Sequence, residues 1–194
     1  MKKNRLALVV LVLVAGGLAV AKAQSFSSNG NLDAQSSDLQ QKKIIYFNPE
    51  VFPNVEEIKD ATNTAFFSAV SDKILSLPKN AMLRADAPVE FDNIDVESIK
   101  EYCKNNNADF AVVPKVQYFK VGLGKYVFSN QVVVSMKLYD ADGKFITETN
   151  YDTYKKNMRL LGSAENSVKV GTKGAITEII KNLKKIRRSK VDQF

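Results

Sequence analysis

The sequence contains no histidine, no tryptophan and only one cysteine, Cys103. Without histidine, no Ser-His or Cys-His catalytic pair can form, and a histidine-ligated metal site is excluded. A single cysteine can form neither an internal disulfide nor a Cys-x-x-Cys redox motif. These absences remove common hydrolytic and redox chemistries, so we expect no catalytic, cofactor-binding or metal-binding residues.

The first 23 residues have the pattern of a secretory signal peptide. A positively charged start is followed by a 16-residue apolar run over 6–21 and by the cleavage signal Ala21-Lys22-Ala23. A membrane-spanning helix requires about 20 apolar residues. Cleavage after Ala23, and therefore export, is favoured over an uncleaved inner-membrane anchor. No cysteine directly follows the apolar run, so the sequence does not predict a lipoprotein.

Cleavage would remove most of the positive charge. The chain has 28 Lys and Arg against 21 Asp and Glu, a formal charge of +7. Four of the basic residues precede Gln24, and the remaining 24 basic and 21 acidic residues give +3. Six basic residues lie between Lys181 and Lys190. The exported form is therefore expected to be nearly neutral, with one basic end.

Composition divides the rest of the chain into three parts. Residues 24–41 are rich in Ser, Asn and Gln, which predicts a flexible polar leader. Residues 42–188 are expected to form a single α/β domain, followed by a C-terminal tail at 189–194. A domain of about 147 residues can bury a core without disulfides.

Apolar periodicity within this domain predicts the order β-α-β-α-β-β-β-α. Asn54 has capping-box spacing to Glu57 at the first helix, and Asp95 is expected to cap the second. Gly143 fits the turn of the last hairpin. The predicted strands lie near 44–47, 81–83, 110–121, 126–139 and 145–154, and the predicted helices near 55–77, 95–107 and from 163 or 167 onward. The fold class is α+β, an α/β sandwich in which a mixed sheet contains a three-stranded antiparallel meander and helices pack on one face.

Two motifs within this order carry a family resemblance. Residues 107–113, NADFAVV, place a small-acidic-aromatic step between a helix and a strand, and Asp140-Ala141-Asp142-Gly143-Lys144 follows a later strand. The pattern resembles the periplasmic α/β domain shared by curli-secretion lipoproteins, lipoprotein activators of peptidoglycan synthases and the amino-terminal domain of the Tol-system propeller protein. Pro114 and the lack of a lipidated cysteine depart from that pattern. The resemblance implies a non-enzymatic envelope role and transfers no binding residue.

The predicted terminal helix carries the main basic surface. At about 100° per residue, its cations gather on one arc beside the apolar stripe. They could bind anionic lipid or the phosphates of lipopolysaccharide. Alternatively, they complement the helix dipole and keep the surface soluble. Nucleic acid is not an expected partner of an exported chain. The candidate residues are Lys181, Lys184, Lys185 and Arg188.

A second candidate surface is the tip of the hairpin that joins the strands at 110–121 and 126–139. If the tip projects, its apolar side chains could insert into a partner or a membrane surface. Alternatively, they complete the core at the end of the sheet. The candidate residues are Phe119, Leu123, Tyr126 and Phe128.

The remaining candidate residues each have a structural interpretation as well as a functional one. Cys103 lies on an apolar helix face, which predicts a buried side chain, with an intermolecular disulfide as the alternative. An acidic group before the second helix could bind calcium, or could provide caps and turns. A hydrolase that uses carboxylates alone is the least favoured function. Its candidate residues are Glu90, Asp92, Glu97 and Asp109.

Export, together with the lack of histidine and of a second cysteine, predicts a non-catalytic binding or assembly accessory protein. The expected location is the periplasm or outer-membrane periphery of a Gram-negative bacterium, or the medium. The expected partner is an envelope protein or an anionic membrane surface, and the oligomeric state stays open. The alternative is a membrane-surface protein that binds anionic lipid through its basic C-terminal helix.

Overall fold

The structure is a computed structural model that describes residues 41–77, 79–120, 128–157 and 162–191. The strands in this part of the chain are β1 Lys42–Asn48, β2 Glu50–Phe52, β3 Asn80–Pro88, β4 Phe110–Lys120, β5 Phe128–Asp140 and β6 Phe145–Asp152. The helices are α1 Glu56–Leu75, α2 Val96–Asn106, α3 Thr153–Asn157 and α4 Ala164–Val191.

The strands form one mixed sheet. Its order is β3-β1-β4-β5-β6, and the short strand β2 pairs with β4 beyond the end of β1. The pairs β1–β3, β1–β4 and β2–β4 are parallel, whereas β4, β5 and β6 form the predicted antiparallel meander. The predicted α+β fold class is therefore confirmed.

The strand order explains where the helices lie. The connection through α1 leads from β1 outward to β3, and the connection through α2 leads from β3 back past β1 to β4. Both connections join parallel strands, and such crossovers are almost always right-handed. Two right-handed crossovers that run in opposite directions place their helices on opposite faces. Accordingly, α1 and α4 share the main face, while α2 packs on the other.

Strand β5 shows how the sequence pattern builds the main core. Val132, Val134, Met136 and Leu138 are buried on the face that α1 and α4 cover, as the predicted alternation requires. On the opposite face, the Nζ atom of Lys137 donates to the carbonyl oxygen of Phe91 at 2.8 Å. The apolar face of β5 is thus covered by α1 and α4.

The smaller core lies on the opposite face. Ile99 and Cys103 of α2 are buried against Ile45, Phe47 and Ala111 from the sheet. These strand residues alternate with those that face α1 and α4. Both faces of the parallel part of the sheet are therefore covered, as is usual for parallel strands.

Two predicted local signals are confirmed and one is wrong. The Asp95 side chain caps α2 by accepting from the backbone N–H of Glu97 at 3.1 Å. Gly143 has φ of 77° in the hairpin turn, the left-handed region that favours glycine. The predicted capping box of Asn54 is not formed, since the N-cap position of α1 is Val55, without a side-chain cap hydrogen bond.

Several elements differ from the predicted boundaries. The predicted strand at 81–83 is the nine-residue edge strand β3, which pairs with β1 over most of its length. The short elements β2 and α3 were not predicted. Helix α4 runs to Val191, past the predicted domain end at residue 188.

Candidate functional site

An apolar cavity of about 450 Å³ lies between α1, α4 and the sheet. Helix α4 supplies the longest wall, with its apolar stripe of Ile176, Ile179, Ile180, Leu183 and Ile186. Ile176 and Ile179 are buried, whereas the last three residues of the stripe are half-buried. The apolar stripe thus continues beyond the part of α4 whose side chains are buried against the sheet.

The end of α1 explains why the stripe is left uncovered there. Helix α1 ends at Leu75, and its last buried residue, Ile74, lines the cavity together with Leu77. The chain then turns into β3 at Asn80, which also lines the cavity. Because α1 ends here, the C-terminal half of α4 lacks the partner helix that covers its first half.

Strand β1 forms the floor of the cavity. Lys42, Ile44 and Tyr46 alternate along the strand onto the face that lines the cavity. Lys42 and Tyr46 are four positions apart along the strand, a distance of about 13 Å. Ile44 and Tyr46 pair in register with Phe110 and Val112 of β4, which also line the cavity. The floor therefore runs from a charged residue to a deeply buried one.

Tyr46 adds a polar atom to this apolar floor. Tyr46 is only 2% exposed, and its side chain lines the cavity among aliphatic and aromatic residues. Burial raises the pKa of Tyr46, so the phenol stays neutral. Tyr46 therefore gives the floor a neutral polar group at its buried end.

Among the described residues, the charged groups that line the cavity are Lys42 and Lys184, and Lys42 is neutralised. The Lys42 Nζ atom lies 2.7 Å from Asp109 Oδ1, and the backbone N–H of Lys43 donates to Asp109 Oδ2 at 2.9 Å. Lys184 is exposed and forms no ion pair with any described residue. Across the described residues, no Asp or Glu lines the cavity. The cavity therefore carries an uncompensated positive charge at Lys184.

Asp109 anchors the start of β1 to the start of β4. Burial alone would raise the pKa of its carboxyl, but the hydrogen bonds from Lys42 and Lys43 outweigh that effect and lower the pKa. Because the pKa of Asp109 is lower in the folded chain than in the unfolded chain, the ionised carboxylate stabilises the fold. This stabilisation is fully present above the unfolded-state pKa of about 3.9, and it is lost as pH falls through the folded-state pKa.

We expect Asp109→Asn to lower the free energy of unfolding by about 1 kcal/mol at pH 7, because it weakens a charge-assisted pair that is partly exposed. The difference from the parent should shrink as pH falls below about 4. Urea unfolding at several pH values measures it. A difference that is constant with pH would show that the carboxylate charge contributes nothing.

The structure separates the four basic residues predicted from the sequence. Lys184 lies at the apolar cavity, and Arg188, one helical turn later, is exposed. Lys181 and Lys185 line a second groove of about 310 Å³ beside β6, together with Glu148 and Glu178. The predicted basic arc therefore divides into a side beside the cavity and a side that faces carboxylates.

The predicted hairpin tip is described only at its base. Phe119, near the end of β4, is 37% exposed. Phe128 begins β5, where its backbone pairs with Lys120. Leu123 and Tyr126 lie outside the described residues. An interaction at this tip stays a prediction.

Most of the acidic residues considered from the sequence have structural partners, whereas Glu90 is exposed. Asp92 pairs with Lys115 at 2.6 Å, Asp95 caps α2 and Glu97 lies 3.9 Å from Lys100. Asp140 accepts from backbone N–H groups within its own hairpin. No group of three or more cysteine or carboxylate side chains among the described residues is arranged to hold a metal ion. The arrangement favours caps, turns and ion pairs over a calcium site.

Cys103 is 1% exposed in the core beneath α2. Burial, followed by the nearby charge of Asp140, raises the pKa of its thiol, which further reduces the reactive thiolate. We expect a water-soluble disulfide reagent to leave Cys103 unmodified in the native protein and to modify it fully in urea. Rapid modification under native conditions would instead support the intermolecular disulfide considered above.

Sequence reasoning missed the cavity itself. It identified the apolar stripe of α4 but predicted no cavity beside it. The cavity depends on where α1 ends relative to α4, which the apolar pattern of α4 does not contain. The helices in the described ranges also lack any segment long and apolar enough to cross a membrane.

No protein-family model and no curated protein matches the sequence. Among solved structures, the chain is similar to the PelC dodecamer from Paraburkholderia phytofirmans, with a TM-score of 0.42 and 11% identity over 74% of this chain and 87% of that chain. It is similar to the lipoprotein GNA1162 from Neisseria meningitidis, with a TM-score of 0.35 and 11% identity over 73% of this chain and 96% of that chain. It is also similar to the hypothetical protein CT253 from Chlamydia trachomatis, with a TM-score of 0.38 and 10% identity over 74% of this chain and 95% of that chain. These are bacterial proteins, and likenesses at this level transfer no partner, ligand or activity. The family resemblance drawn from the two sequence motifs stays a prediction.

Proposed function

We propose that this chain is an exported, non-catalytic binding or assembly accessory protein of a Gram-negative envelope, and that the apolar cavity is its binding site. The observation that carries the proposal is the half-buried end of the α4 stripe, from Ile180 to Ile186, which faces a cavity of about 450 Å³. Pockets that bind small molecules commonly measure about 300–1,000 Å³ and have apolar walls with a few polar groups.

The composition supports binding over catalysis. The sequence contains no histidine, and its single thiol at Cys103 is buried. Among the described residues, the polar groups at the cavity are lysines, an amide and a neutral phenol, a set suited to holding a ligand. Export is supported by the charged start, the apolar run at 6–21 and the cleavage signal that ends at Ala23.

Two measurements test this function. A reporter enzyme that is active only outside the cytoplasm, fused after residue 194, should be active in the parent and inactive when Leu11→Arg interrupts the apolar run.

For the binding site, a photo-crosslinking amino acid at position 183 should capture an envelope component in living cells. The matched control is position 181, which is on the same helix but lines the other groove. Equal capture from both positions, or none from position 183, would contradict the assignment.

A second candidate function is docking on an anionic membrane surface. The observation in its favour is that Lys184, which lines the cavity, and Arg188, one helical turn later, are both exposed and form no ion pair with a described residue. Such residues attract anionic headgroups by about 1 kcal/mol each.

Liposome co-sedimentation distinguishes this candidate. The parent should sediment with vesicles of phosphatidylglycerol and not with neutral phosphatidylcholine vesicles. Changing Lys181, Lys184, Lys185 and Arg188 to Gln should abolish sedimentation. Binding that persists in this variant, or that is absent in the parent, would reject the membrane-surface function.

A further inference from the structure

The cavity has the chemical character of a site for a hydrocarbon chain with a negatively charged end. We propose that it binds the acyl chain of a single-chain anionic lipid, of the fatty-acid class, with the carboxylate beside Lys184. The inference rests on the proposed binding function and names the ligand class of the same site.

The walls favour a hydrocarbon chain over a peptide. From the described residues, the cavity is lined mainly by aliphatic and aromatic side chains, such as Ile44, Phe110 and Leu183. A peptide would bring backbone N–H and C=O groups that these walls cannot satisfy, and a buried group without a partner is costly. The same argument disfavours the polar segment at 24–41 as an occupant. A hydrocarbon chain carries no such groups.

The charge distribution favours an anion. Lys42 is neutralised by Asp109, whereas Lys184 has no ion-pair partner in the described ranges. In those ranges the cavity has no acidic lining residue to compete for Lys184. A carboxylate at Lys184 would gain a cationic partner and leave the chain in the apolar interior. An amphiphile with a cationic end would meet an uncompensated positive charge.

The position of Tyr46 gives the length of the cavity floor. Tyr46 lies about 13 Å along β1 from Lys42, and both side chains line the cavity. A hydrocarbon chain that lies along β1 therefore has a floor of about this length, from the lysine to a buried, neutral phenol.

Isothermal titration of the protein purified from the periplasm provides the test, with octanoate, decanoate and dodecanoate below their micellar concentrations. Each methylene that enters an apolar site should tighten binding roughly fourfold, so each step of the series should tighten it roughly fifteenfold. Dodecyltrimethylammonium should bind at least about tenfold more weakly than dodecanoate. Affinity that does not depend on chain length would overturn the inference.

Matched variants locate the site. Lys184→Gln should weaken dodecanoate binding about three- to tenfold, whereas Lys181→Gln on the other side of α4 should leave it within about twofold. Leu183→Trp should fill the cavity and abolish binding, with Tyr154→Trp on exposed α3 as its control. If thermal melting shows that Leu183→Trp does not fold, Leu183→Phe replaces it.

The outcomes separate this inference from the proposed function. Equal weakening by Lys184→Gln and Lys181→Gln, or full binding by a folded Leu183→Trp variant, would overturn the acyl-chain site. If position 183 captures an envelope protein while no fatty acid binds, the acyl-chain inference fails and the binding function stands. If neither capture nor fatty-acid binding occurs, both fail.

Discussion

Replacing Phe66 by alanine is expected to lower the free energy of unfolding by about 3–5 kcal/mol. Phe66 lies on the inner face of α1, is 0% exposed and packs edge-to-face against Phe67, with ring centroids 5.2 Å apart. Removal of its ring leaves a void in the main core, because the surrounding strands cannot close over it. Chemical denaturation monitored by circular dichroism measures the loss.

The matched control for Phe66→Ala is Tyr154→Ala, which removes an aromatic ring of similar size from a side chain that is 57% exposed. We expect that change to cost less than about 1 kcal/mol. Equal losses in the two variants would contradict the placement of α1 on the main face of the sheet, and with it one wall of the cavity.

Replacing Gly171 by valine is expected to cost at least about 1–3 kcal/mol and to displace α4 from the meander. A Cβ atom at Gly171 would lie 2.6 Å from Val134 Cγ2 and 3.3 Å from Thr153 Cγ2. Both neighbours are fully buried, so neither can move aside without disturbing the core. Because α4 forms the longest wall of the cavity, ligand binding should weaken together with stability.

Lys181→Val is the matched control for Gly171→Val. It introduces the same β-branched residue at an exposed position of the same helix, where helix propensity alone costs less than about 1 kcal/mol. Urea midpoints compare the two variants. If both unfold at the same urea concentration, the close approach of α4 to β5 and α3 is not required for stability.

Local signals in the sequence were sufficient for the features that depend on neighbouring residues. The alternation from Val132 to Leu138 predicts which face of β5 is buried, because the side-chain period of a strand is two. Asp95 and Gly143 were also found correctly, since a cap and a tight turn each require a particular residue type at one position. Asn54 shows the limit of such signals. A shift of one residue in the helix start placed it outside the cap.

The features that the sequence did not reveal depend on distant parts of the chain. The place of α2 opposite α1 follows from the strand order β3-β1-β4, which no local pattern contains. The cavity combines Ile44 and Tyr46 from the first strand with Leu183 from the last helix. Sequence periodicity shows that these residues avoid water, but it does not show whether protein atoms fill the space between them.

The same reasoning applies to the basic helix. From the sequence, Lys181, Lys184 and Lys185 belong to one arc, and only the packing of α4 assigns them to different grooves. The acids Glu148 and Glu178 face the side of Lys181 and Lys185, which leaves Lys184 as the cation beside the apolar walls. Charge alone therefore did not identify the residue that matters most for the proposed ligand.

The most direct test of the central claim, that the apolar cavity binds an acyl chain, is the position of a bound ligand in solution. Intermolecular nuclear Overhauser effects between carbon-13-labelled dodecanoate and protein methyl groups measure that position. We expect effects from the chain to the methyl groups of Ile44 and Leu183, which line the cavity, and none to Leu75, which is 81% exposed. Effects to Leu75 without effects to Ile44 and Leu183, or no effects at all, would contradict the claim.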